Sequence, residues 1–257
     1  MRLVALLACV LAASGAAAQE QQQPACAWQD AGTGTVRAVL DGRTVALTDG
    51  REVRLAGIET PDVAALAAAS TIALEAMLGN REVALKRLGE DQDRHGRLLA
   101  HAFVDGRSAQ QTLLAAGHAR VAARVGDAAC ARQLLSAEQA ARTAALGLWS
   151  EPAYAPRQAG DPAAVLTERG RFILVEGKVV SVRESGGTIY VNFGRRWSED
   201  FTATLLKRHE RSFAAAGLDL KKLSGRAVRL RGVVEERGGP WIELTRPEQV
   251  EVLSGRE

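Results

Sequence analysis

The sequence predicts a mainly β fold with helices, of α+β type, arranged as two consecutive small barrels. Three observations carry this. From Gly34 to Ile58 apolar and polar residues alternate around two turns, Asp41-Gly42 and Asp49-Gly50, which is the signature of a three-stranded meander. From Glu151 to Pro162 proline and small residues concentrate and neither the helical nor the strand period persists, as expected of a linker. Beyond that stretch the order of patterns is three strands, a helix and two strands, the order of an OB-type barrel.

Taken in order, the chain opens with Arg2, an apolar run from Leu3 to Ala13, and Ala16-Ala17-Ala18 before a polar stretch. This is the layout of a secretory signal peptide cleaved after Ala18. The run is too short to span a bilayer, which takes roughly 20 apolar residues, so no membrane span is expected and the mature protein is expected in the periplasm or outside the cell. Residues 19–30 form an entry segment and residues 31–150 the first domain. After the meander, Val63 to Leu78 is alanine-rich with helical spacing and ends at Gly79-Asn80, a helix with a glycine stop. Arg81 to Leu88 and Arg97 to Val104 read as strands, and helices are expected from about Ser108 to Ala116 and from Ala128 to Leu146. Thr60 as cap and Pro61 at the first helical position would start the first helix.

Residues 151–168 are the expected linker and residues 169–254 the second, smaller barrel. Strands are expected at Phe172 to Arg183, Thr188 to Phe193, Phe201 to Leu205, Ala227 to Val234 and Trp241 to Leu244, with a helix at Leu206 to Ala216. The opening pattern Gly34-Thr-Val-Arg-Ala-Val39 is faintly echoed by Gly177-Lys-Val-Val-Ser-Val182.

Composition excludes more than it selects. The 257 residues carry a net charge of +3, a weak lean towards polyanions. Without the leader, Cys26 and Cys130 remain, and two cysteines in an oxidising compartment predict a disulfide. His95, His101, His118 and His209 form no metal-binding spacing. There is no Gly-Lys-Ser/Thr phosphate loop and no Gly-x-Ser-x-Gly elbow, and no small-molecule cofactor is expected.

The informative clusters are Leu40-Asp-Gly-Arg-Thr-Val45, Val53-Arg-Leu-Ala-Gly-Ile-Glu-Thr-Pro-Asp62 and Asp93-Arg-His-Gly-Arg-Leu-Leu-Ala100, followed by Gln111 to Val121 and Gly147-Leu-Trp149. In this order they resemble the thermonuclease (staphylococcal nuclease-like) family over Gly34 to Ser150. The resemblance implies a staphylococcal-nuclease-type OB barrel with three helices, hydrolysis of DNA or RNA phosphodiesters, and calcium as cofactor. It places Arg54 and Arg97 as a phosphate clamp, where a planar guanidinium can hold phosphoryl oxygens in the transition state. It places Glu59 on a metal-ligand aspartate position and Asp62 on that of the glutamate acting on the attacking water; Asp41 is a candidate residual ligand beside Glu59.

Where the family typically reads Asp-Gly-Asp-Thr, this chain reads Asp41-Gly42-Arg43-Thr44. Calcium takes six to eight oxygens, and arginine supplies none. Arg43 is open to three readings: a solvated turn residue beside a decayed site; a guanidinium in the cation's space, paired with Glu59; or a bystander while Asp41, Glu59 and Asp62 still recruit a metal. Arg54 and Arg97 could instead be structural, pairing Glu59 or Asp62 at the barrel mouth, but their joint appearance in family register favours the functional reading.

Arg94 and His95 of the third cluster, with Trp197 beside Arg195-Arg196 in the second barrel, are the candidate contacts to single-stranded DNA or RNA. His95 stands where the family commonly has a tyrosine, and Arg124 stands near its nucleotide-stacking tyrosines. The second barrel resembles OB-type modules attached to secreted nuclease-like domains.

Overall fold

A computed structural model describes residues 26–89 and 92–253; the expected signal peptide lies outside them. The first strands are β1 (Gln29–Asp41), β2 (Thr44–Leu47), β3 (Glu52–Leu55) and β4 (Ile58–Glu59). They are followed by α1 (Ala64–Leu78), β5 (Glu82–Arg87), β6 (Leu98–Val104), β7 (Arg107–Ser108), α2 (Ala109–Ala115), β8 (Arg120–Val121) and α3 (Ala128–Thr143). The meander pairs as expected, with Val39 opposite Val45 and Thr44 opposite Arg54. β1 begins five residues ahead of the expected meander, because Gln29, Asp30 and Thr33 pair with Arg87, Lys86 and Ala84 of β5. β6 then joins β5 antiparallel and β3 parallel. The five strands therefore close in the order β1-β2-β3-β6-β5 and leave no free edge in the ring.

The barrel fills with Val36, Val45, Leu47, Val53, Leu55, Val83 and Leu85, and the helices add Leu74, Leu78, Leu113, Leu114 and Leu134. Such side chains are worth roughly 1.5–3 kcal/mol each on full burial. Ser108 and Asp127 cap α2 and α3 by accepting from backbone N–H groups. Helix α1 starts three residues later than Thr60-Pro61 suggested. Its cap position is Val63, which has no side-chain acceptor. The Tyr154 hydroxyl instead holds the approach to the helix, accepting from Asp62 N at 2.9 Å and Val63 N at 3.3 Å.

The stretch expected as a linker does join the two cores, and it is built into both. It contains two short 3-10 turns, then β9 (Arg157–Gln158) and α4 (Pro162–Leu166). Tyr154 is buried, and Ala159 and Val165 belong to the second core. Beyond it lie β10 (Phe172–Lys178), β11 (Ser181–Ser185), β12 (Thr188–Asn192), β13 (Thr202–Leu206), α5 (Glu210–Ala215), β14 (Ala227–Val233), β15 (Glu235–Arg237), β16 (Gly239–Leu244) and β17 (Val250–Val252). The single strand expected from Phe172 to Arg183 is broken at Val179-Val180, so that β10 pairs with β14 while β11 pairs with β12.

The order of elements follows that of the first barrel, but the strands lie in two sheets, β17-β14-β10-β9 and β11-β12-β13-β16-β15. The hairpin β11-β12 leads to β13, a helix intervenes, and β16 pairs parallel with β13 and antiparallel with β15. The sequence echo at Gly34 and Gly177 falls on the strands that open the two meanders. Among the described residues no helix is long and apolar enough to cross a membrane.

The two cores are joined by a buried ion pair. Arg231 of β14 donates to both carboxylate oxygens of Glu138 in α3, at 2.9 Å each, to Val121 O at 3.0 Å and to Glu251 at 2.5 Å. Arg231 and Glu138 are both fully buried. Cys26 and Cys130 form a disulfide that ties the entry segment to α3.

Candidate functional site

The β1-β2 turn sets the first group. Asp41 accepts from the Arg43 backbone N–H at 2.8 Å, an Asx turn that leaves the Arg43 side chain free to fold inward. Its guanidinium donates to Ile58 O at 2.9 Å and to the Glu59 carboxylate. Arg43 is largely buried, at 16% side-chain exposure. The second of its three sequence readings therefore describes the contact: Arg43 is paired with Glu59.

Arg54, in β3, lies opposite Thr44 on one side and Leu99 on the other. Burial, then the nearby charges of Arg43 and Arg97, pull its guanidinium below the ordinary value, while Glu59 and Asp41 act the other way. Among the described residues Arg54 has no hydrogen bond or close ion pair of its own. It stays charged at neutral pH, since guanidinium groups deprotonate only above about 12. It is thus a cation with two other arginines and two carboxylates near it.

Arg97 grips Asp93, with Nε at 2.9 Å and Nη2 at 2.6 Å from the same oxygen. Burial works against the Asp93 carboxylate, but the Arg97 side chain and the His95 and Arg97 backbone N–H groups hold it down at about 2. Arg94 donates to His95 Nε2 at 3.0 Å, and both are exposed on the turn.

A cavity of about 260 Å³ opens beside this group, lined by Arg43, Arg54, Glu59 and Arg124 together with Leu88 and Leu99. Asp62, Asp41 and Arg97 are not among its lining residues. Asp62 instead accepts from the Tyr154 hydroxyl at 2.5 Å and from Arg171 Nη2 at 3.1 Å. The Tyr154 hydrogen bond, against a smaller desolvation, holds its carboxyl below the usual range. Asp41, Glu59 and Asp62 do not converge. Among the described residues, only Cys26, Asp127 and Cys130 bring three potential metal-ligand atoms within 4.8 Å of one another, and there the two thiols are consumed by the disulfide.

Residues 52–151 match the family described as staphylococcal nuclease homologue. The first barrel is staphylococcal nuclease-like. Its matched part, less than half of the chain, contains Arg54, Glu59, Asp62 and Arg97, whereas Arg43 precedes it. Among curated proteins, the chain is similar to the SPbeta prophage-derived endonuclease YokF of Bacillus subtilis (strain 168). The two are 35% identical over 98 residues, covering 38% of this chain and 29% of that protein. It is also similar to endonuclease YncB of the same organism, at 42% over 67 residues, 26% of this chain and 32% of that one. The chain thus spans less than a third of the length of these relatives, and the similarity supports a nuclease-like function for the first barrel.

Several residues around this group were not singled out from sequence. Arg120 lies opposite Glu59 in the β4-β8 pairing and is stacked between Tyr154 and Phe172, 5.4 and 4.8 Å from their ring centres. Tyr154, Arg171, Arg231 and Glu248 reach the first barrel only because the second packs against it, and no local pattern marks them. Tyr154 is the one aromatic residue of the proline-rich stretch, the sole hint available. Trp197 is 76% exposed in the loop between β12 and β13, where Arg196 pairs with Glu199 at 2.8 Å.

Proposed function

We propose that this chain is an exported nuclease-like protein that holds the phosphates of single-stranded DNA or RNA at Arg54 and Arg97, with calcium-dependent cleavage weak or absent. The observation that carries this reading is the Arg43–Glu59 pair beside Arg54, whose side chain has no hydrogen bond or close ion pair among the described residues. A phosphate entering the cavity offsets the charges of Arg43 and Arg54, which line it, while a divalent cation would add to them. Unit charges about 4 Å apart interact by roughly 4 kcal/mol at an effective dielectric of 20, which gives the scale of that preference.

The residues do not fit the calcium site that the family resemblance implies. Calcium needs several carboxylate oxygens converging on one point. Here Asp41 is turned to its own loop, Glu59 to Arg43, and Asp62 to Tyr154 and Arg171. An Asp62 whose two oxygens are both hydrogen-bonded by donors is also a poor proton acceptor. The residues therefore support binding better than cutting. The second barrel is read as an OB-like module, with Trp197 as a surface for base stacking. The signal-peptide pattern and the disulfide support an oxidising compartment.

The test is binding of a labelled single-stranded oligonucleotide over a salt series, with cleavage followed in calcium. Wild type is expected to bind with a linear loss of log affinity against log salt, to weaken at least tenfold on Arg54→Ala, and to cleave little. Arg43→Asp should raise calcium-dependent cleavage. Binding that ignores both salt and Arg54→Ala would overturn the reading, as would brisk wild-type cleavage that Arg43→Asp does not improve.

A further inference from the structure

One wall of the cavity is the chain from Ala122 to Val125. Arg124 is exposed at its centre. At one end, Val121 donates its N–H to Glu138 and its carbonyl accepts from Arg231 of the second barrel at 3.0 Å. At the other end, the Val125 and Gly126 N–H groups both donate to Glu248 Oε1, at 2.7 and 3.3 Å. Glu248 belongs to a 3-10 turn, Pro247–Gln249, and is 6% exposed. That turn is locked to β14, because Gln249 donates to Arg231 O at 3.1 Å and accepts from Thr245 N at 2.7 Å. Arg231 and Glu248 are therefore two prongs of one rigid piece, gripping the wall on either side of Arg124.

The arrangement is costly unless the wall must be held. A buried carboxylate spent on two loop N–H groups gives up its hydration, and β8 has only two residues with which to anchor the loop by sheet pairing. Gly126 adds a backbone constraint. It sits at φ +102, and a Cβ there would meet Leu88 O at 2.8 Å. In this conformation Arg124 borders the same cavity as Arg43 and Arg54.

We infer that the second barrel is a clamp for this wall, with Arg124 a third phosphate-contacting residue of the site and Glu248 its positioning residue; this rests on the phosphate-binding reading above. The second barrel then contributes to binding without itself touching the nucleic acid at this point.

The experiment measures affinity of the full chain for a fluorescein-labelled oligothymidylate over a salt series, for Arg124→Ala, Glu248→Ala, the double variant, Glu248→Gln and Glu248→Asp. Each phosphate contact to a single strand contributes about 0.7 to the slope of log affinity against log salt. Arg124→Ala is expected to lower the slope by about that much. Glu248→Ala should do the same, and the double variant should be no weaker than either single variant within twofold. Glu248→Gln keeps an oxygen that can accept both N–H groups and should restore the slope. Glu248→Asp withdraws that oxygen by one methylene while keeping the charge, so it serves as the mimic of Glu248→Ala if that variant fails to fold.

A general loss of stability would not change the salt slope. An unchanged slope in Glu248→Ala or Glu248→Asp, or multiplicative losses in the double variant, would overturn the clamp. If that occurs while Arg54→Ala still weakens binding at least tenfold, only the clamp is lost. If Arg54→Ala has no effect either, the phosphate-binding reading has failed.

Discussion

Replacing Arg231 by methionine, which nearly matches its stem in length, tests whether the buried pair holds the two barrels together. The substitution deletes four hydrogen bonds, to both Glu138 oxygens, Val121 O and Glu251, and leaves Glu138 fully buried. Breaking a buried pair from one side costs about 3–5 kcal/mol, since a charge is left without its partner. Glu138 would keep Arg142 at 2.7 Å and Val121 N at 2.5 Å, so the low end, about 3 kcal/mol, is expected. Burial pushes the Glu138 carboxyl up, but the Arg231 guanidinium, with the Val121 N–H and Arg142, holds the group below the usual 4.5. A carboxyl lowered in the folded state contributes stability that is complete above 4.5 and disappears as pH falls through the folded value. The gap between wild type and Arg231→Met should therefore be full at pH 7 and shrink below pH 4.5. Urea unfolding at pH 7 and at pH 3.5 measures it, and a Glu138→Gln, Arg231→Met double variant should be destabilised by less than the sum of the two single changes. A loss at pH 7 below about 1 kcal/mol, or strict additivity, would refute the reasoning.

Two further predictions concern other buried groups. His101 lies fully buried against the edge of Trp28, 4.8 Å away, and burial pushes it down to about 4 from 6.5. The unfolded chain then takes up the proton first as pH falls, so stability rises with pH between about 4 and 6.5. Urea unfolding should show a loss of about 2 kcal/mol from pH 8 to pH 5 that His101→Leu does not share; equal losses in both would exclude the effect. Tyr154→Phe removes the hydroxyl on Asp62, and NMR titration should find the Asp62 carboxyl moved up towards 3.8. A cost of about 1–2 kcal/mol is expected, and an unmoved titration would show that Arg171 alone sets it.

Much of the fold was legible because it is written in local periodicity. The meander from Gly34 to Ile58, the alanine-rich α1 and the helix starts near Ser108 and Ala128 depend on neighbours in the chain. Short-range sterics, hydrogen bonding and apolar spacing determine them, so their positions follow to within a few residues. The charges at Arg54, Glu59, Asp62 and Arg97 were legible too, through the order of the three clusters. Their partners were not.

By itself the sequence determined two successive strand-rich units, the cysteine pair and an arginine at position 43. It left three readings of that arginine open, because a long flexible side chain can point to solvent or inward with equal local cost. Only the tertiary structure decided that Arg43 meets Glu59, since closing the barrel brings the β1-β2 turn beside β4. Only the packing of the second barrel turned Tyr154 and Arg171 onto Asp62 and Arg231 and Glu248 onto the wall of the cavity. These contacts join residues about 90 to 120 positions apart, and no local pattern encodes a partner at that distance.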